Sequence, residues 1–217
     1  MQKLETRKTI FIEWIFVFLL ALILFASGLY IYSYNLTPTI KSTKDKIIYV
    51  DEGPHEESPE KFYNTIKSES IPPAYLYRSG NVDALKSYLT KKNSKLAENP
   101  YFDEIMTQAK NYNINPCLLF AITGREQSFV PKNHKFASKI SNNPFNVFGS
   151  WEKYNTNIKD SAEIACRTII TLSKSRPANI DFIEWINKQN GSGGYAEDQM
   201  WHYDVKTFFE ILNTEIY

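Results

Sequence analysis

The chain has 217 residues and a formal net charge of +1, from 25 Lys and Arg against 24 Asp and Glu. That balance lacks the cationic footprint of a nucleic-acid binder, which works by neutralising phosphates. Two cysteines are too few for a disulfide-stapled scaffold or a zinc ribbon.

Residues 1–9 read as a short cytoplasmic N-terminus carrying Lys3, Arg7 and Lys8. Residues 10–33 are expected to form one transmembrane anchor. From Trp14 to Tyr32 the chain is apolar and uncharged over 19 residues, which at about 1.5 Å per residue spans a hydrocarbon core of about 30 Å. Trp14 at one end and Tyr30, Tyr32 and Tyr34 at the other stand where interfacial aromatics are favoured. A cleaved signal peptide, with Ala26, Ser27 and Gly28 near its cleavage point, is the competing reading, but the apolar stretch of such peptides is usually shorter. Lys41, Lys44 and Lys46 balance the N-terminal cations, so charge alone does not orient the span. Residues 34–80 read as a stalk or linker, because Pro54, Pro59, Pro72 and Pro73 break any long helix. Lys46 to Val50 has the pattern of one short strand within it.

Residues 81–217 are expected to be one mainly α domain. A helix begins at Asp83 to Leu89. Asn99 and Pro100 make a cap-then-proline start for a second, in which Phe102, Ile105, Met106, Ala109 and Tyr112 recur at helical spacing. Asn115 and Pro116 repeat that start for a central helix through the apolar run Cys117 to Ile122. Asp160 and Glu163 form a capping box ahead of Ala162, Cys166, Ile169 and Leu172; Asp181 and Glu184 do the same ahead of Trp185 and Ile186 in a helix ending near Gly191. Gly191, Gly193 and Gly194 then connect flexibly to a last amphipathic helix marked by Trp201, Val205, Phe208 and Leu212. Cys117 and Cys166 fall on apolar faces, so buried thiols are the default and a disulfide between them is the alternative.

The chemistry concentrates between Asn115 and Trp151. Glu126 lies about three turns along the central helix and shares a face with Leu119 and Ile122. An ordinary helical Glu would pair with Arg125 or Lys132. Here apolar neighbours and the carbonyls of a helix C-terminus both disfavour the anion, which is the environment of a general acid. The turn-rich segment from Asn142 to Trp151 follows, with three amides and three aromatics. Amides bind hydroxyl and acetamido groups, and aromatic faces stack on sugars. A core reading of Phe145, Phe148 and Trp151 stands beside this one, with at least one of them expected in the core and at least one lining a groove.

The order "NP, apolar helix, E, polar loop, NNPFNVFG, W", with GGYAEDQMW downstream, resembles the endo-β-N-acetylglucosaminidase domains of bacterial peptidoglycan hydrolases, within the lysozyme-like superfamily. The resemblance covers about residues 96 to 217. It implies a lysozyme-like α+β domain with a small β/turn lobe, and it implies Glu126 as the catalytic acid. It places the Asn-Pro-Phe and Phe-Gly turn at Asn143 to Gly149 and the Tyr-Ala near the end at Tyr195 and Ala196. Many members follow the Glu with Ser and soon after Gly, whereas this chain has Gln127, Ser128, Phe129 and Val130. The candidate glycan contacts are therefore Ser128, Asn143, Phe145, Asn146, Phe148, Gly149 and Trp151, with Tyr195 positioning the sugar or steadying developing positive charge.

Glycoside hydrolysis usually needs a second carboxylate. Glu152, Asp160, Glu163 and Asp198 are the nearby options, and Glu152 is preferred because Asp160 and Glu163 have a capping explanation, although an exposed Glu is its ordinary reading. Relatives resembling lytic transglycosylases work with one Glu and the substrate's own hydroxyl. A cysteine nucleophile at Cys117 with His134 or His202 as base belongs to another enzyme class, and the apolar Leu118, Leu119 and Phe120 around it suit burial better. His55, His134 and His202 are too scattered for a metal site, and no metal or organic cofactor is implied. The expectation is an anchored hydrolase of peptidoglycan glycan strands, outside the membrane on the cell-wall side. The alternatives are a lytic transglycosylase or muramidase of the same fold, and a non-catalytic glycan-binding scaffold.

Overall fold

The computed structural model describes residues 58, 59, 61, 62, 70–188 and 193–217, and these are mainly helical. The expected anchor at 10–33, the N-terminus before it, the strand at Lys46 to Val50 and Gly191 lie outside the described residues. No helix among the described residues is long and apolar enough to cross a membrane.

Seven α-helices follow one another among the described residues: α1 (Val82–Lys91), α2 (Tyr101–Asn111), α3 (Pro116–Gln127), α4 (Ala137–Ile140), α5 (Ile158–Ser173), α6 (Phe182–Asn187) and α7 (Trp201–Ile216). The molecule is organised around α3. Its N-cap is the expected one: the Asn115 carboxamide oxygen accepts from Cys117 N at 3.0 Å, and Pro116 occupies the first turn. Every residue from Pro116 to Gly124 is buried. A helix apolar on all sides must be enclosed on all sides, and α7 packs along α3 with α2 and α5 completing the enclosure. Leu118, Leu119, Phe120 and Ile122 are fully inaccessible, each contributing about 1.5–3 kcal/mol of burial. Phe120 stacks on Phe102 of α2 at 5.6 Å.

Helix α7 reads as expected from its stripe, with Trp201, Val205, Phe209, Leu212 and Ile216 buried. Phe208 is half-buried beside them, its ring 5.1 Å from Phe129. Two capping assignments differ from expectation. At α5 the cap is Asn157, whose side chain accepts from Asp160 N at 3.0 Å. The Asp160 carboxylate instead accepts from the Tyr154 and Thr156 hydroxyls at 2.6 and 2.8 Å, and Glu163 accepts from Tyr112 at 2.8 Å. At α2 the N-cap position is Pro100, with no side-chain cap, so Asn99 falls one residue early. Asp181 does cap α6, accepting from Ile183 N and Glu184 N, but Glu184 reaches forward to Lys188 at 3.3 Å rather than back to the cap.

The expected stalk boundary at residue 80 also moves. Residues 70–80 pack on the domain: Ile71 and Tyr75 are buried, and the Tyr75 ring lies 4.6 Å from Phe182 and 4.7 Å from Phe209. Asn115 N donates to Tyr75 O at 2.8 Å and Arg176 Nε to Ser70 O at 2.9 Å, so this segment is part of the fold.

The expected β/turn lobe is turn rather than sheet. Among the described residues β pairing is confined to two isolated bridges, Leu76 with Ile114 and Ser94 with Pro131. Residues 128–157 are rich in Asn and Ser and have no alternating apolar run. Asn143 braces them from within. Its amide donates to Val147 O and Tyr154 O and accepts from Val147 N, all at 2.9 Å.

Candidate active site

Glu126 is the second-last residue of α3 and is half-buried. Its surroundings are less apolar than expected, because each carboxylate oxygen meets a neutral donor. Trp201 Nε1 donates to Oε1 at 2.7 Å, and Asn146 Nδ2 donates to Oε2 at 2.8 Å. Gln127 Nε2 completes the arrangement by donating to Asn146 Oδ1 at 2.6 Å. The carboxylate is thereby gripped by the aromatic turn on one side and by the start of α7 on the other.

The backbone around these groups is unusual. Ser128, Phe129 and Val130 all take left-handed conformations, with φ of 49, 60 and 55°. Left-handed geometry is disfavoured for side chains bearing a Cβ, most of all for β-branched Val, at about 1–3 kcal/mol per residue. Packing and hydrogen bonds hold it. Phe129 N donates to Thr123 O at 3.2 Å, Lys95 N to Val130 O at 2.8 Å, and the Ser94 hydroxyl to Phe129 O. The Phe129 ring lies across Gly124, where an added Cβ would come within 2.5 Å of it. Asn146 and Phe148 are left-handed as well, at 55 and 54°, and Gly149 follows at 96°. The chain thus reverses sharply on both sides of the carboxylate.

The predicted site residues fall in different places. Asn146 touches Glu126 directly. Tyr195 is fully buried, its ring stacked 4.8 Å from Trp201, and its hydroxyl has no hydrogen-bond partner among the described residues. Burial chiefly, and then the charges of Glu126 and Cys166, push that phenol well above its ordinary pKa, so it is a proton-bearing donor. Phe148, Gly149 and Trp151 are half-buried and Ser128 is exposed; Phe148 packs edge-on against Tyr154 at 4.8 Å, and Trp151 meets Phe136 at 5.4 Å. Asn143 and Phe145 are fully buried, the first engaged with backbone and the second in the core. Glu152 is exposed in the turn after Trp151.

Other carboxylates near in sequence are committed. Asp160 and Glu163 hold the hydroxyls named above, and Asp198 is paired with Arg125. Both cysteines are free and buried. Burial pushes the Cys117 thiol up to about 12, outweighing the opposing pull of Arg78 and of a backbone hydrogen bond; the helix start does not make it nucleophilic. Among the described residues no group of three His, Cys, Asp or Glu is placed to hold a metal.

Sequence reasoning placed Trp201 only as a core marker and missed its indole as a carboxylate donor. The available signal was that a buried indole N–H needs an acceptor, and Trp201 is fully buried. It also missed Asn187, which accepts from Ala196 N at 3.2 Å and donates to Asp198 O at 2.9 Å, stitching the Tyr195 segment to α6. Comparison of the chain with protein-family models, curated proteins and solved structures gave no match.

Proposed function

We propose that this chain is a membrane-anchored, lysozyme-like hydrolase of peptidoglycan glycan strands, with Glu126 as its general acid. The observation that supports the reading best is the convergence on Glu126: a buried helix, an amide from the Asn-rich aromatic turn and an indole from the last helix meet at one half-buried carboxylate. Hydrogen bonds from two neutral donors orient the carboxyl. In its protonated form Glu126 would give its proton to the glycosidic oxygen as the bond to the anomeric carbon breaks; as carboxylate it would take a proton from the attacking oxygen. Tyr195 is fully buried, so in this reading it acts by backing the Trp201 indole that orients Glu126 rather than by touching the sugar. Ser128, Phe148, Gly149 and Trp151 are the accessible members of the sugar-contacting set.

The bond assigned is the one on the reducing side of N-acetylglucosamine. The anchor at 10–33 would place the domain on the cell-wall side and confine it to glycan near the membrane.

A second reading is favoured by the commitment of Asp160, Glu163 and Asp198 to protein partners and by the solvent exposure of Glu152. With one acid, a substrate hydroxyl can attack the anomeric carbon while Glu126 protonates the leaving oxygen and later accepts the hydroxyl proton, as in lytic transglycosylases. Mass spectrometry of the released ends decides between them. A reducing N-acetylglucosamine supports the first reading; an anhydro-muramic end replaces it with the second; no released fragments leaves only a glycan-binding scaffold.

A further inference from the structure

We infer that Arg125 is a positioning residue for the acid: through Asp198 and Asp204 it fixes the turn that brings the Trp201 indole to Glu126. The inference rests on the reading of Glu126 as the acid. Arg125 and Glu126 are consecutive on α3 and hold one short segment together, Arg125 at Asp198 and Asp204 and Glu126 at Trp201 between them. Arg125 Nη2 donates to Asp198 Oδ2, and its Nε lies 2.9 Å from Asp204 Oδ2 as an ion pair without hydrogen-bond geometry. Asp198 in turn accepts from Met200 N at 2.8 Å through its side chain and from Trp201 N at 3.2 Å through its carbonyl. Trp201 then closes the circuit at Glu126.

Stability alone is a poor explanation for this arrangement. The Asp204 side chain is 55% exposed, and an ion pair at that exposure contributes at most about 1 kcal/mol. The Asp198 arm is better shielded, at 18% and 26% exposure for the two side chains, but shielding also imposes a desolvation cost on both charges. What a guanidinium adds is geometry. Its planar fork reaches two carboxylates at once, one before α7 and one in its first turn, with Trp201 between them; an ammonium is a point charge without that fork.

The test uses the full chain in three variants, Arg125→Met, Arg125→Lys and the isosteric Asp198→Asn, with fold checked by circular dichroism. The indole N–H resonance of Trp201, assigned by its loss in Trp201→Phe, reports the contact with Glu126 directly and without turnover. In all three variants that resonance is expected to leave its hydrogen-bonded position. Glycan release is expected to show a kcat about tenfold lower with KM within about twofold, the pattern of a misplaced acid rather than lost binding. A wild-type resonance in Arg125→Met or Asp198→Asn overturns the inference, and so does full rescue by Arg125→Lys, which would make charge alone sufficient. If wild-type protein releases no glycan while the resonance still responds to Arg125, the acid reading fails and the positioning of Trp201 stands.

Discussion

Trp201 and Glu126 are 75 positions apart in the chain and 2.7 Å apart in space, indole Nε1 to carboxylate Oε1. The contact joins the end of α3 to the start of α7. Trp201→Phe keeps an aromatic ring against Tyr195 but removes the donor and part of the indole's volume from a fully buried site. The expected cost is about 2–4 kcal/mol of stability, from the lost hydrogen bond together with the space vacated at a fully buried site. Glycan release is expected to fall at least about tenfold, in line with loss of an orienting contact. Denaturant unfolding and a release assay check the two parts; unchanged release would detach Trp201 from the chemistry.

Gly124→Ala is expected to destabilise, against the usual rule. In a helix interior Ala is favoured over Gly by about 1 kcal/mol. Here the new methyl would lie 2.5 Å from the Phe129 ring, which is itself packed against Tyr88 and Phe208. Overpacking of that kind costs about 1–3 kcal/mol and outweighs the propensity gain. The ring must move, and the left-handed turn from Ser128 to Val130 moves with it. A melting temperature equal to or above wild type would show that the turn is not locked in this way.

The two amides Asn143 and Asn146 are expected to separate in effect. Asn143→Ala removes the Asn143 hydrogen bonds to Val147 N, Val147 O and Tyr154 O, a stability loss of about 3 kcal/mol or more at about 1 or more per bond. Asn146→Gly tolerates the left-handed backbone at φ 55° and removes only the side chain facing Glu126. It loses the hydrogen bonds to Glu126 and from Gln127, so it should cost about 1–2 kcal/mol, less than Asn143→Ala, and release glycan about tenfold more slowly. Thermal melts and release rates measured side by side check the split; the reverse pattern would exchange the two roles.

Acid sensitivity has a specific contributor in Glu98. Hydrogen bonds from Lys95 and then Lys132 hold its carboxyl at about 2, from an ordinary value of 4.5. A group depressed in the folded state stabilises fully above its unfolded pKa, and that stabilisation is lost as pH falls through the folded one. The window is therefore pH 4.5 down to about 2. Glu98→Gln should flatten the stability curve there, and added salt should shrink the difference because the pair is exposed. An unchanged acid limb in Glu98→Gln contradicts this.

Much of the fold is legible in the sequence because its signals are local. The Asn115 cap reaches an amide two residues on, Asp181 does the same, and the α7 stripe repeats within one helix. The failures turn on which of several partners a polar group takes, or on contacts far along the chain. Asp160 looks like a cap, but Tyr154 and Thr156 take its carboxylate and Asn157 takes the cap. Asn143 and Asn146 are alike in sequence, and only the path of the turn decides which amide faces inward. Residues 70–80 read as linker from their prolines, yet Tyr75 is sandwiched between rings from α6 and α7 that lie more than a hundred residues downstream. The position of Glu126 at the end of a buried helix was legible; its Trp201 donor was not.

The central claim is tested most directly by glycan release from purified cell wall with wild-type protein and Glu126→Gln. The substitution keeps the size of the side chain and an acceptor for Trp201 or Asn146, and it removes the transferable proton. The account requires soluble glycan fragments from wild type and none above background from a folded Glu126→Gln that still binds the wall. Equal release by the two proteins would contradict it.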